Sequence, residues 1–338
     1  MAAIFFSKAS RERMDRSPTL QRIGWLLEAG GVDVFWRICS ILPPHRAAAF
    51  GEWVLGKIGP RLPKSKDMAR NFHLAFPDLG EHERQTLLRR AWGNTGAVLG
   101  EFPHFDRMCF QEFDQHFEIV EKGNFDEYRA GRRNGIFVTA HLGNWEISVI
   151  SALRLGTPLT VVFAPIKNPY LERIVLKRRE GLRCNVVSRA AGARPLVREL
   201  SQGRSLGLVI DARDDDGEPV PFFGMDKMST IFPARLALRA NCDLIPTRVE
   251  RLGHARFRIT LHSPVQPSPE TLSDKDQAIH MMTEVHAMFE QWIRERPHQW
   301  LCNKRAWAKT IVPAVPHSRP TKPSARLGSD IHAGKATG

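Results

Sequence analysis

At 338 residues, with 42% apolar and 25% charged side chains, the chain has ordinary globular composition and can bury a sizeable core without staples. Its formal charge of +13, with a pI near 10.0, favours acidic partners: phosphates, anionic lipid headgroups, nucleic acid or acidic proteins. The five cysteines, Cys39, Cys109, Cys184, Cys242 and Cys302, are scattered and form no C-x-x-C pair, so they read as reduced, mostly buried cytosolic thiols and exclude a disulfide frame or thiolate zinc site.

The first residues are not expected to act as a secretory signal, because the short apolar stretch Ala2 to Phe6 precedes Lys8, Arg11 and Arg13. Residues 17 to 60 read as helical and amphipathic, with Trp25, Leu26, Leu27, Val34, Phe35, Ile38, Ile41 and Leu42 near helical spacing. Breaks are expected at Gly30-Gly31 and at Pro43-Pro44, followed by a second apolar run through Trp53 and Ile58. The segment is either a helical layer on the main domain or an interfacial helix with Trp25, Phe35, Trp36 and Trp53 at headgroup level. Ile23 to Leu42 is interrupted by Glu28, Asp33 and Arg37, and a spanning helix needs about 20 apolar residues in a row. The expected organisation is a membrane-associating helical segment over 1–60, a main domain over 61–311 and a disordered basic tail over 312–338, rich in Pro, Ser, Lys, Gly and Ala.

From Gly135 the pattern changes. GIFVTAH (135–141), LTVVFAP (159–165), NVVSR (185–189) and SLGLVID (205–211) are β-rich runs, separated by helical stretches near 145–155, 169–182 and 194–202. This alternation predicts an α/β fold: a mixed, mostly parallel central sheet flanked by helices, preceded by the N-terminal amphipathic helical segment. DLIPTRVERL and ARFRITLHSPV predict a β-hairpin around Gly253. Lys275 to Arg294 predicts an amphipathic helix with Ile279, Met282, Val285, Phe289, Trp292 and Ile293 on one face.

The richest stretch chemically is TAHLGNWEISVI, residues 139–150. A buried strand ends at His141, a Gly-Asn turn follows, and a helix begins near Trp145. That places an imidazole at the carboxyl edge of a sheet, where α/β folds bind ligands. Glu146, in the first helical turn, is expected to reach back to one ring nitrogen of His141, leaving the other to accept a proton as a general base. The same spacing also arises by chance, and a histidine at a strand end is commonly structural. The H-E-x-x-H zinc spacing is absent.

The flanking residues carry a specific resemblance. HLGNWE resembles the H-x4-D/E block of the glycerolipid acyltransferase superfamily. Within it the chain is similar to the lipid A biosynthesis acyltransferases, the late lauroyl and myristoyl transferases, from about residue 20 to residue 308. The likeness extends through NFHLAFPDL (71–79), KNPYLERIVLKRR (167–179), LVIDARDDDG (208–217), VPFFG (220–224), PARLALRA (233–240) and HQWLCNKRAW (298–307). One departure is Leu301-Cys302-Asn303-Lys304-Arg305, where the family often carries His-Arg-Arg after Trp-Leu.

The resemblance implies transfer from an acyl-acyl carrier protein thioester to a hydroxyl of a phosphorylated glycolipid, a lipid A precursor. With the amphipathic segment and its basic residues, it points to the cytoplasmic face of the bacterial inner membrane, peripheral or interfacial, with an anionic membrane surface as a further partner. His141 matches the family's general base, Glu146 its orienting acid, and Arg179 and Asp211 two functionally important positions. Arg179 is hard to separate from Arg178 and Arg183 by position alone. Asn144, Arg179, Arg189, Asp211 and Arg305 are the expected substrate-binding residues. Backbone N–H groups around Gly143 to Trp145, or an arginine, are expected to meet the oxyanion. VPFFG reads either as core or as a wall for an acyl chain. Neither metal nor organic cofactor is implied. Nucleic acid is disfavoured, since no recognised module is present. The alternatives are another glycolipid or phospholipid acceptor, or a non-catalytic basic peripheral membrane protein.

Overall fold

The computed structural model describes residues 17–270 and 272–311; the basic tail expected from residue 312 lies outside them. Helix α1 (Pro18–Ile41) starts at Ser17, whose hydroxyl accepts from the Leu20 N–H, with Pro18 at the first helical position. The expected break at Gly30-Gly31 does not occur. Glycine costs a helix about 1 kcal/mol, but Glu28 and Ala29 before the pair, and Trp36 and Cys39 after it, are buried against the body and carry the helix across. The break at Pro43-Pro44 does occur, and α2 (Pro44–Ile58) begins on the second proline.

Helices α3 (Ser65–Ala75) and α4 (Glu81–Glu101) follow. A Cβ built on Gly96 of α4 would lie 1.9 Å from the Gly51 carbonyl oxygen of α2, so the two helices touch backbone to backbone. The N-terminal helices are thereby docked closely on the rest of the fold. This docking also corrects the interfacial set read from the sequence. Trp36 is fully buried, stacks on Phe102 at 5.3 Å and donates its indole N–H to the Leu99 carbonyl. Phe35 and Trp25 are half-buried, and of the four aromatics only Trp53 is exposed.

Short helical turns aside, the chain continues through β1 (Phe117–Lys122), β2 (Gly135–Thr139), α5 (Val149–Arg154), β3 (Leu159–Phe163), α6 (Pro169–Arg179), β4 (Asn185–Ser188), α7 (Ala193–Ser201) and β5 (Ser205–Val209). Then come the hairpin β6 (Glu218–Phe222) and β7 (Met225–Ser229), α8 (Phe232–Ala240), β8 (Asp243–Gly253), β9 (Arg256–His262) and α9 (Asp274–Glu295). Among the described residues, seven strands form one sheet in the order β1-β9-β8-β2-β5-β3-β4. Neighbours are parallel except β8 and β9, which form the hairpin expected around Gly253. The sheet is therefore mixed and mostly parallel, with flanking helices, as the alternation of strands and helices predicts. Central β2 is buried along its whole length, the mark of a strand covered on both faces. All five cysteines are free thiols.

Val220, Phe222 and Phe223 of VPFFG belong to the core. Residues two apart share a strand face, so Val220 and Phe222 of β6 point inward and are fully buried. Phe222 lies 5.8 Å from Trp307 and 6.0 Å from Trp300, while Phe223 turns the hairpin with φ 53° and stacks on Trp300. The resulting aromatic cluster supports the site from below.

Candidate active site

Strands β2 and β5 are adjacent and parallel, with Thr139 opposite Val209. Two residues past those strand ends, at the carboxyl edge of the sheet, the same register brings His141 beside Asp211. His141 Nδ1 lies 2.5 Å from Asp211 Oδ1. The other carboxylate oxygen accepts the Trp300 indole N–H at 2.9 Å, and the Asp211 carbonyl accepts from Lys227 Nζ at 2.7 Å. Asp211 and Lys227 are both buried.

Burial pushes the Asp211 carboxyl up. The neighbouring His141 and Lys227 charges and the hydrogen bonds from His141 and Trp300 outweigh it, and hold the group at about 2. Burial draws Lys227 down to about 8, against the pull of Asp211. An ionised carboxylate can only accept, so Nδ1 of His141 carries the proton and donates it. In the neutral ring Nε2 is then the basic nitrogen, and it makes no hydrogen bond among the described residues. The ring meets Trp145 edge-on at 5.1 Å.

Glu146 is not the partner of His141 in this geometry. Both of its oxygens hold Arg179, with Nε to Oε2 at 2.8 Å and Nη2 to Oε1 at 2.6 Å, a bidentate pair screened from solvent. Residues Trp145–Ser148 form a tight 3-10 turn in place of the expected first α-helical turn, and Asp211 already occupies Nδ1 from the adjacent strand. Arg179 is the last residue of α6, whose N-cap Asn168 accepts from the Tyr170 and Leu171 N–H groups. Of these arginines, Arg179 holds Glu146, whereas Arg183 pairs with Asp106.

The turn after His141 is clamped from behind. Gly143 has φ 56°, and a Cβ there would lie 2.7 Å from the Val249 carbonyl, so glycine is required on both counts. Its N–H donates to the Gln299 carbonyl at 3.1 Å, and the Leu301 N–H donates to the His141 carbonyl at 2.9 Å. Because the Gly143 N–H is engaged, it is not available to an oxyanion. Asn144 is fully buried and donates its side-chain amide to Glu101 Oε2 at 2.8 Å, so it faces the protein interior and not a substrate. Glu101 also holds Arg251, with Nη2 to Oε2 at 2.9 Å, and Arg251 Nε donates to Asn94 Oδ1 at 2.7 Å. Asn94 closes the loop by donating to the Gly143 carbonyl at 3.0 Å.

In front of His141 opens a cavity of about 530 Å³. His141, Glu146, Arg179 and Asp211 line its polar end, and apolar residues of β2, β3, β4 and β5 line the rest. Arg189 reaches the cavity from the end of β4, largely exposed and paired with Asp214 at 2.9 Å. Arg305 does not line it and points towards Asp67 at 4.0 Å, while its neighbour Lys304 and Lys64 supply the cationic lining there. The sequence reading missed Lys227 and Trp300 as partners of the site. The signals were present: Trp300 lies in the HQWLCNKRAW block, and Lys227 occupies an inward position of β7 opposite Val220.

The chain is similar to known acyltransferases. The phosphatidylinositol mannoside acyltransferase of Mycolicibacterium smegmatis is 29% identical over 223 residues, covering 64% of this chain and 72% of that protein. The crystal structure of a 1-acyl-sn-glycerophosphate acyltransferase from Thermotoga maritima covers 73% of this chain and 98% of its own, at 15% identity and a TM-score of 0.33. The model of the bacterial lipid A biosynthesis acyltransferases matches residues 21–309, nearly the whole described chain, and this protein is an acyltransferase that belongs to that family.

Proposed function

We propose that this acyltransferase moves a fatty acyl group from an acyl-acyl carrier protein thioester to a hydroxyl of a phosphorylated glycolipid, a lipid A precursor. The observation that carries the reading is His141, with Nδ1 held by a buried carboxylate and Nε2 free at the head of an apolar cavity. The acyl chain lies in that cavity with its thioester at the polar end. Nε2 takes the acceptor's hydroxyl proton as the oxygen attacks the thioester carbon. The tetrahedral oxyanion collapses, the carbon–sulfur bond breaks, and the leaving thiolate takes the proton back from the imidazolium. No serine or cysteine nucleophile is needed. Asp211 is the orienting acid, and Trp300 and Lys227 are positioning residues that hold it. Arg179, braced by Glu146, and Arg189 with Lys64 and Lys304 meet the negative charge of donor or acceptor.

The likeness to the mannoside acyltransferase favours a second acceptor, a mannosylated phosphoinositide. The purified enzyme, supplied with acyl-acyl carrier protein and either a phosphorylated glucosamine disaccharide lipid or phosphatidylinositol mannosides, decides between them by mass spectrometry of the product. Acylation of the disaccharide lipid alone is expected. Thioester turnover that is indifferent to both lipids would remove the proposal.

The enzyme meets its acceptor as a peripheral protein on the cytoplasmic face of the inner membrane. No described helix is long and apolar enough to cross a membrane. Instead Leu20, Leu27, Val34 and Ile41, spaced by seven, make an exposed apolar stripe along α1, with exposed Trp53 on α2 and Arg22, Arg37, Arg46 and Lys57 also exposed. Leu27 and Ile41 are 68% and 84% exposed, so replacing both with serine removes no core packing. Such a variant should keep the parental melting temperature and lose most of its flotation with anionic liposomes. Unchanged flotation would detach the stripe from membrane binding.

A further inference from the structure

The strand register arranges sheet residues that line the cavity into rows. Phe137 of β2 is opposite Gly207 of β5, Gly207 is opposite Val161 of β3, and Val161 is opposite Val186 of β4. All four line the cavity, so they form a single row across it. Two residues towards His141, on the same face, a second row contains Thr139, Val209 and Phe163. Two residues away from His141, Leu159 begins a third. The middle row has a side chain everywhere except at Gly207.

Neither conformation nor crowding explains that glycine. Gly207 does not have positive φ. A Cβ added there would meet Val161 Cγ2 at 3.5 Å and the Leu159 methyls at 3.8 Å, ordinary contacts. Glycine inside a strand weakens it, and β5 has a neighbour on each side. Yet Gly207 is only half-buried, because the cavity opens directly onto it. The missing side chain therefore provides space for whatever fills the cavity.

We infer that Gly207 sets the length of acyl chain this enzyme accepts, by leaving the floor bare where a long chain must pass. The inference rests on the reading of the cavity as the acyl site. Phe137 precedes His141 by four residues, two of them past the end of β2, so the row lies on the order of 10 Å from the imidazole. An extended hydrocarbon covers that distance in about ten carbons. Chains up to about that length end before the Gly207 row, and longer chains cross it. Any side chain at 207 rises into the path of the longer ones alone.

The test is a graded series, Gly207→Ala, Gly207→Val and Gly207→Leu, given competing saturated acyl thioesters from about 8 to about 18 carbons. Transfer of the longest chains relative to the shortest should fall stepwise with side-chain volume, by about tenfold or more in Gly207→Leu. Transfer of the shortest chains should stay within a few-fold of parent. A constant long-to-short ratio, or an equal loss at every length in a folded variant, overturns the inference. A second readout needs no turnover: stabilisation of the parent and of Gly207→Leu against heat by free fatty acids of the same lengths. The length giving the largest stabilisation should shorten in the variant, and an unmoved maximum overturns the inference even if the variants are inactive. Failure of the parent to transfer any chain, with the melting series still shifting, would instead fault the proposed reaction.

Discussion

His141→Ala should lower kcat by roughly 10²–10⁴-fold, the contribution of a positioned general base, without unfolding the protein. The side chain sits at the edge of the sheet and is 30% exposed, so its removal leaves no closed void. Asp211→Asn should be nearly as damaging, for a reason specific to this site. Trp300 Nε1 is a donor only, so it draws the amide oxygen of an asparagine to the position of Oδ2. The amide nitrogen then faces His141 Nδ1, which must accept, and the ring proton moves to Nε2. The wrong nitrogen is now protonated, and Lys227 loses its nearby counter-charge. Because the two residues act as one device, the double variant should be little worse than the worse single. Kinetics at saturating acceptor, with circular dichroism as the fold control, decide the matter. Retention of more than about a tenth of the parental kcat by folded Asp211→Asn would return the orienting role to Glu146.

The largest stability loss is expected behind the site. Glu101 is fully buried and is the partner of Arg251, of the Asn144 amide and of the Ala255 N–H. Glu101→Ala leaves the Arg251 guanidinium, itself 9% exposed, without its counter-charge. Breaking a buried pair on one side costs about 3–5 kcal/mol, or a melting-point drop on the order of 10 °C for a chain of this size. Removing both charges, in Glu101→Ala/Arg251→Met, should recover a substantial part of that loss. Denaturant titration of the two variants provides the comparison. A single variant within about 1 kcal/mol of parent would mean that the pair is solvated and does not brace the turn. If it does brace the turn, surviving folded Glu101→Ala should also turn over more slowly, because Gly143 and Asn144 lie two and three residues after His141.

Local pattern carried much of this protein. Short β-rich runs separated by helical ones specify a mostly parallel sheet because a parallel pair needs a crossover between its strands. The hairpin around Gly253 and the apolar face of α9 follow from periodicities of two and 3.6. The position of His141 at a strand's carboxyl end was legible for the same reason, whereas the helix read over 169–182 ends at Arg179. The continuity of α1 through Gly30-Gly31 was not, since helix propensity is a weak bias that burial on both sides overrides.

What the sequence alone determined is which groups arrive at the edge of the sheet; which of them touch was decided by strand order. Glu146 is five residues from His141 yet holds Arg179, while Asp211, seventy residues away, takes the imidazole. That exchange depends on β5 lying beside β2 with Thr139 opposite Val209. The inward turn of Asn144, the departure of Arg305 from the cavity and the burial of VPFFG are likewise matters of tertiary direction. Spacing along a chain constrains a residue's partners only within one element. Between elements, the lowest free energy goes to the pairing that best satisfies the buried charges and donors together, and that is set by the packed whole.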